Sequence, residues 1–338
     1  MLETIGEFAG ERLDTAESDA VHRRLREYIV SLSVASAGDL HTAAESTTSA
    51  RLAPDYPNVR VAVSDALAAG EPDDVGRILG AIYPFLISHG YLGEVAEWTG
   101  AALAARDRLS TRGLAEALVG GGEIARFAGD LDRAVELKEE LATLQVDLHR
   151  PNWRTAMLAD LADIALDRHD FAGARRYAEE CAAAGGGARA ALCLAELALR
   201  EGDLESAQAE ARTALAGYEE GAFNHACGLE ILAEVARRSG NVTAARDRFR
   251  DALRSFVALG DGGHIADCLD GLGRVAADAG DSERAGRLHG VAERLRETRG
   301  RRPIRADLPF PDVPGGALEG GRAMRVEDAL EYALASID

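Results

Sequence analysis

A Gly-Asp turn recurs along this chain at nearly regular intervals. "FAGDLDRAVELKEELA", "REGDLESAQAEARTAL" and "RSGNVTAARDRFRDAL" are three copies of one pattern. Anchored on their turns, the copies sit at Gly129-Asp130, His169-Asp170, Gly202-Asp203, Gly240-Asn241 and Gly280-Asp281, spaced 40, 33, 38 and 40 residues apart. A weaker copy turns at Gly90-Tyr91, 39 residues before Gly129. Self-similarity at such a period means stacked supersecondary units, and it narrows the fold more than any other feature.

Each turn has a physical rationale. Glycine ends a helix in the left-handed conformation at the least steric cost. The Asp or Asn that follows accepts from the free amides of the next helix. His169 replaces glycine in one copy, so that turn is expected to be strained or differently shaped.

Counting back five residues from each turn gives Ile124, Ile164, Leu197, Val235 and Val275, and counting back four gives Ala125, Ala165, Ala198, Ala236 and Ala276. Eight back lie Gly121, Leu161, Leu194, Leu232 and Leu272, and seven back Gly122, Ala162, Ala195, Ala233 and Gly273. Five after the turn residue comes Ala134, Ala174, Ala207, Ala245 or Ala285. Large residues at helical spacing make a core stripe, and small ones let helices approach closely. Composition agrees: the 338 residues are 47% hydrophobic but 5% aromatic, which favours helices packed through small aliphatic side chains over a β-sandwich.

The unit is thus a helical hairpin, and its spacing over roughly residues 76–298 resembles the tetratricopeptide repeat. It departs from that consensus in lacking most large aromatics: Phe249 fills one such place, and Ala178, Ala211 and His289 fill others. The expected fold is all-α, a right-handed superhelix (α-solenoid) of about six hairpins, since such hairpins bury their faces only by stacking.

The flanks differ. "LETIGEFAGERL" puts Leu2, Ile5, Phe8, Ala9 and Leu13 on one face of a first helix, and "VHRRLREYIVSLSVAS" and "YPNVRVAVSDALAAGE" follow. "RGRRPIRADLPFPDVPGG" carries four of the nine prolines and reads as an irregular linker, before a last helix, "RVEDALEYALAS". The expected divisions are 1–70 for the N-terminal helices, 71–298 for the hairpins, and 299–338 for the linker and a capping helix. The order of these segments resembles the C-terminal arm of bacterial STAND (NB-ARC-like) regulators of the AfsR-like and LuxR-type classes. There "LETI-E-A-ERL" is the last helix of a winged-helix module, "NVRVAVSDAL" matches a "DNLRAAL" segment, and "GGRAMRVEDALEYAL" matches the closing "G-ALSLEEAVAYAL". The resemblance implies the sensor arm of a transcriptional regulator. Its motifs are packing motifs, and the family's nucleotide-binding residues have no counterpart, because no G-x-x-x-x-G-K-[ST] occurs.

Catalytic patterns are missing: there is no G-x-S-x-G, H-E-x-x-H or C-x-x-C. No enzyme activity, cofactor or metal is expected. "GGGEIARFAG" imitates a phosphate loop but lies inside a repeat helix, where packing accounts for its glycines. His225 with Cys227 and His264 with Cys268 could converge on a metal; small buried thiols and core histidines are the plainer reading, as for His289. Arg294, Arg296, Arg299, Arg301, Arg302 and Arg305 form the one basic cluster, read as a solvated helix end with a grip on an acidic partner as its rival. The formal charge of −19 disfavours direct nucleic-acid binding. Lys138 is the sole lysine, a bias expected of a GC-rich bacterial gene. The N-terminus lacks a signal-peptide pattern, no apolar run approaches ~20 residues, and the four cysteines are scattered, so a cytoplasmic protein with free thiols is expected.

Six residues before each turn lie Glu123, Asp163, Glu196, Glu234 and Arg274. In tetratricopeptide folds this place faces the concave groove. The expected site is therefore an acidic ladder of four carboxylates with Arg274 beyond it, able to hold a basic protein or peptide, or a small effector. The expected function is a non-catalytic binding module, the regulatory arm of a bacterial regulator; the rival is a free-standing adaptor or peptide receptor, for instance in a secondary-metabolite gene cluster.

Overall fold

The computed structural model describes residues 14–40, 42–144, 153–299, 303, 305 and 308–335. The N-terminal stretch Leu2–Leu13, with Arg301 and Arg302 of the basic cluster, lies outside them. Helices α1 (Thr15–Ser36), α2 (Glu45–Leu52) and α3 (Tyr56–Ala69) come first. Six hairpins follow: α4 (Pro72–Ser88) with α5 (Leu92–Ala104), α6 (Thr111–Ala128) with α7 (Leu131–Thr143), and α8 (Trp153–Asp167) with α9 (Phe171–Ala183). Then come α10 (Gly187–Glu201) with α11 (Leu204–Ala216), α12 (Phe223–Arg238) with α13 (Val242–Leu259), and α14 (Gly262–Asp278) with α15 (Ser282–Arg299). Short helices α16 (Gly315–Ala323) and α17 (Val326–Leu334) finish the described chain. It is an all-helical repeat, without a strand among the described residues, in which successive helices pack as adjacent pairs.

The turns obey the chemistry read from the sequence. Gly90, Gly129, Gly202, Gly240 and Gly280 all have φ between 76° and 86°. After the turns, the side chains of Asp130, Asp170, Asp203, Asn241 and Asp281 accept from the amides of Arg133, Gly173, Ser206, Ala244 and Arg284. His169 takes the same left-handed path at φ 59°, the one non-glycine residue to do so among the described residues. Its turn is strained, not differently shaped.

The core follows the turn-anchored register. Ile124, Ile164, Leu197, Val235 and Val275 are all buried, as are Ala134, Ala174, Ala207, Ala245 and Ala285 on the second helices. The phosphate-loop mimic is packing: a Cβ on Gly122 would stand 2.5 Å from Cε of Lys138, so glycine leaves the channel along which that side chain enters. Helix α16 lies where the sequence suggests only linker. It tolerates its glycines because its backbone crosses α15 at close range; a Cβ on Gly290 would meet the Leu318 carbonyl oxygen at 2.1 Å.

The stack curves until its two ends touch. Arg299, at the end of α15, donates to the Ser88 carbonyl at the end of α4 (3.0 Å), and the Ser88 hydroxyl lies 3.5 Å from Asp261 at the start of α14. The His89 ring packs over Gly260, and α2 touches α13. This seam places the first helices of the hairpins around a common interior.

Candidate functional site

A cavity of about 520 Å³ fills that interior. Its wall comes from α4, α6, α8, α10, α12 and the start of α14, with Tyr83, Phe127, Leu192, Tyr218, Phe223 and Ile231 as apolar lining. Charged residues form a belt among them, because the register that puts leucine and alanine in the inter-helix core turns the neighbouring position inward.

Of the ladder, Glu123, Asp163 and Glu196 line this cavity, while Glu234 and Arg274 line a small recess beside it. The expected open acidic surface is not what the structure holds. Glu123 and Glu234 are buried, and each rung is engaged by cations of the same chain. Glu123 lies 3.2 Å from Nζ of Lys138 and 3.8 Å from Arg126. Asp163 pairs with Arg189 at 2.6 Å and with Arg126 at 3.8 Å. Glu196 accepts from Arg305 at 2.7 and 3.1 Å and from Arg200 at 3.1 Å. Glu234 is held by Arg237 and Arg238 at 2.8 Å each. Arg274 donates to the Leu308 carbonyl (3.1 Å), with its guanidinium 5.3 Å above the Phe310 ring.

Burial alone would raise these carboxyls, but the facing cations outweigh it for most. Lys138 and Arg126 hold Glu123 below the ordinary range, Arg189 and Arg126 do the same for Asp163, and Arg237 and Arg238 hold Glu234 at about 2. Asp160 behaves oppositely. Although 2.7 Å from Lys138, its carboxyl is pushed up to about 6 by burial and by repulsion from Glu123. The trio Glu123–Lys138–Asp160 therefore shares one buried ammonium between two carboxylates.

Asp160, Arg189, Glu230 and Arg305 belong to the site but were not among its expected residues. Part of the signal lies in the sequence: Arg126, Arg200, Arg237 and Arg238 stand three or four residues after a rung, the spacing at which helix neighbours pair. Arg305 gives no such signal. It comes from the linker, 109 residues beyond Glu196, and also pairs with Glu230 at 2.7 Å.

The described members of the basic cluster, Arg294, Arg296, Arg299 and Arg305, form neither a solvated helix end nor an open grip. Arg294 bonds the Met324 carbonyl, Arg296 pairs with Asp267 and Asp270 at 2.7 Å, and Arg299 closes the seam. His289 is half-buried, bonded to Asp270 at 2.7 Å and stacked on Phe310 at 3.8 Å. His264 faces Glu230 at 3.3 Å, and burial pushes the Cys193, Cys227 and Cys268 thiols well above their usual range. Among the described residues no group of three or more His, Cys, Asp or Glu could hold a metal, and no helix is long and apolar enough to cross a membrane.

No family model matches the chain, and no curated protein does. Among solved structures it is similar to the crystal structure of BtubC (BKLC) from P. vanneervenii, at 19% identity and a TM-score of 0.41, over 67% of this chain and 95% of that one.

Proposed function

We propose that the chain is a non-catalytic binding module, a right-handed superhelix of tetratricopeptide-like hairpins whose inner face receives a ligand. The observation that carries this reading is the 520 Å³ cavity, walled by the first helices of all six hairpins, with aromatic and aliphatic side chains beside fixed charges. Ligand sites have this composition: apolar area for affinity and a few placed polar groups for orientation. The charges serve binding better than chemistry. The carboxylates are pinned by arginines, and the buried thiols are held protonated.

In the wider reading, the module is the sensor arm of a bacterial cytoplasmic regulator, and its ligand biases the rest of that regulator by binding one state better than another. This part rests on the segment order described above. A free-standing adaptor is the rival, and co-purification with a P-loop ATPase core supports the arm over the adaptor.

Gly187 supplies the test of the module itself. It lines the cavity, and a Cβ there meets nothing within 4 Å. Gly187→Trp places an indole at the exposed rim of the cavity and should obstruct it without disturbing the stack. A thermal-shift screen of small effectors and peptides should give stabilising hits with the native chain that the folded variant loses. Hits that persist unchanged in the variant would move the site elsewhere.

A further inference from the structure

The described residues of the linker meet the inner face as a guest would. Pro303, Pro309, Pro311 and Pro314 interrupt it, and its one backbone hydrogen bond among the described residues before Pro314 runs from the Leu308 amide to Arg305. It is held instead by receptors on successive hairpins. Glu196 of α10 and Glu230 of α12 take the guanidinium of Arg305, with Glu196 engaging both Nε and Nη2. Arg274 of α14 takes the Leu308 carbonyl. The Phe310 ring lies flat on His289, at 3.8 Å and 5° between planes, over a floor made by Gly273, where a Cβ would stand 2.8 Å from the ring. Charge is thus read on the fourth and fifth hairpins, and backbone carbonyl and aromatic ring on the sixth. A groove reads a peptide in this way, through pockets for side chains and polar groups for its main chain.

We propose that this linker segment occupies, in cis, a peptide-recognition site, and that the partner in trans is a peptide bearing an arginine and, five residues on, an aromatic ring. The proposal rests on the reading of the inner face as a binding surface and names what it recognises. Arg305 also lines the cavity, so displacing the linker opens one rim of that space. Covalent attachment gives the cis segment a millimolar effective concentration, so it masks the site from all but a better or more abundant partner. The bidentate fork on Glu196 selects arginine over lysine, since an ammonium makes no planar pair of bonds.

The probe is a fluorescein-labelled peptide of the chain's own residues 303–312, PIRADLPFPD, titrated by anisotropy against the full chain. The variant R305A/F310A should bind it at least tenfold more tightly than the native chain, and E196Q/E230Q added to that variant should abolish binding. A peptide with lysine in place of its arginine should bind at least tenfold more weakly. F310A alone leaves every buried carboxylate its partner and serves if the double variant unfolds; it should gain at least threefold. Equal or absent binding by a folded variant overturns the proposal, and so does unfolding of both, because a displaceable guest is not required for the fold. A small effector that still binds the folded variant while the peptide fails would sink this proposal and leave the binding module standing.

Discussion

Glu234 separates a solvated groove residue from a neutralised structural one. Its side chain is 2% exposed and held by Arg237 and Arg238, whose guanidiniums keep its carboxyl near 2 against an ordinary 4.5. At ~1.4 kcal/mol per unit, that depression corresponds to a contribution of about 3 kcal/mol at neutral pH. The sign follows from the direction of the shift: the contribution is complete above 4.5 and is lost as pH falls toward 2. At pH 3, where the unfolded state is mostly protonated and the folded state mostly not, about 1.5 kcal/mol remains. Glu234→Gln keeps the shape and removes the charge. Because both arginines retain some access to water, the measured loss should be about 2–3 kcal/mol at pH 7, shrinking by half or more at pH 3. Urea melts followed by far-UV circular dichroism at pH 7, 4.5 and 3 give these differences, and hydrogen exchange should locate the pH 7 loss in α12 and α13. A loss under ~0.5 kcal/mol at pH 7 would show the rung to be ordinary surface. A loss independent of pH would show that the depressed carboxyl is not its source.

His169→Gly should stabilise the chain by about 0.5–1 kcal/mol: it relieves a left-handed penalty of ~1–2 kcal/mol, and the added flexibility of the unfolded chain takes part of that back. A lowered melting temperature would refute it. Lys138→Met should destabilise by about 3–5 kcal/mol, because Glu123 and Asp160 lose the ammonium between them. Adding Asp160→Asn should recover part of that loss in a double-mutant cycle, and a single-variant cost under ~1 kcal/mol would show that the trio is not coupled.

Local rules carry far here. A glycine that must be left-handed, an aspartate that must cap and an alanine that must let a neighbour close in are set within one hairpin, so the turn at Gly202-Asp203 and burial of Leu197 and Ala207 are readable from sixteen letters. The state of Glu196 is not. Its register says that it faces inward, which it does, but whether inward means water depends on the curvature of the whole stack and on what comes to lie there. Arg305 arrives from a proline-rich stretch without periodicity, and Arg299 meets Ser88 across 211 residues. Such pairings depend on accumulated small rotations between hairpins, which no single repeat encodes. The arginines beside Glu123, Glu196 and Glu234 were the legible warning that an acidic ladder would carry its own counter-charges.

The seam between α4 and α15 alters how the molecule can come apart. An open array of repeats is a linear chain of nearest-neighbour couplings, free to fray from either end and to unfold in stages. Where the two termini of the array brace each other through Arg299, Ser88 and Asp261, neither end hairpin can peel away without also breaking the contact that closes the circuit. Unfolding then becomes more nearly all-or-none. Folding acquires a late, slow event, because contacts between residues some two hundred positions apart form only after nearly every repeat is in place.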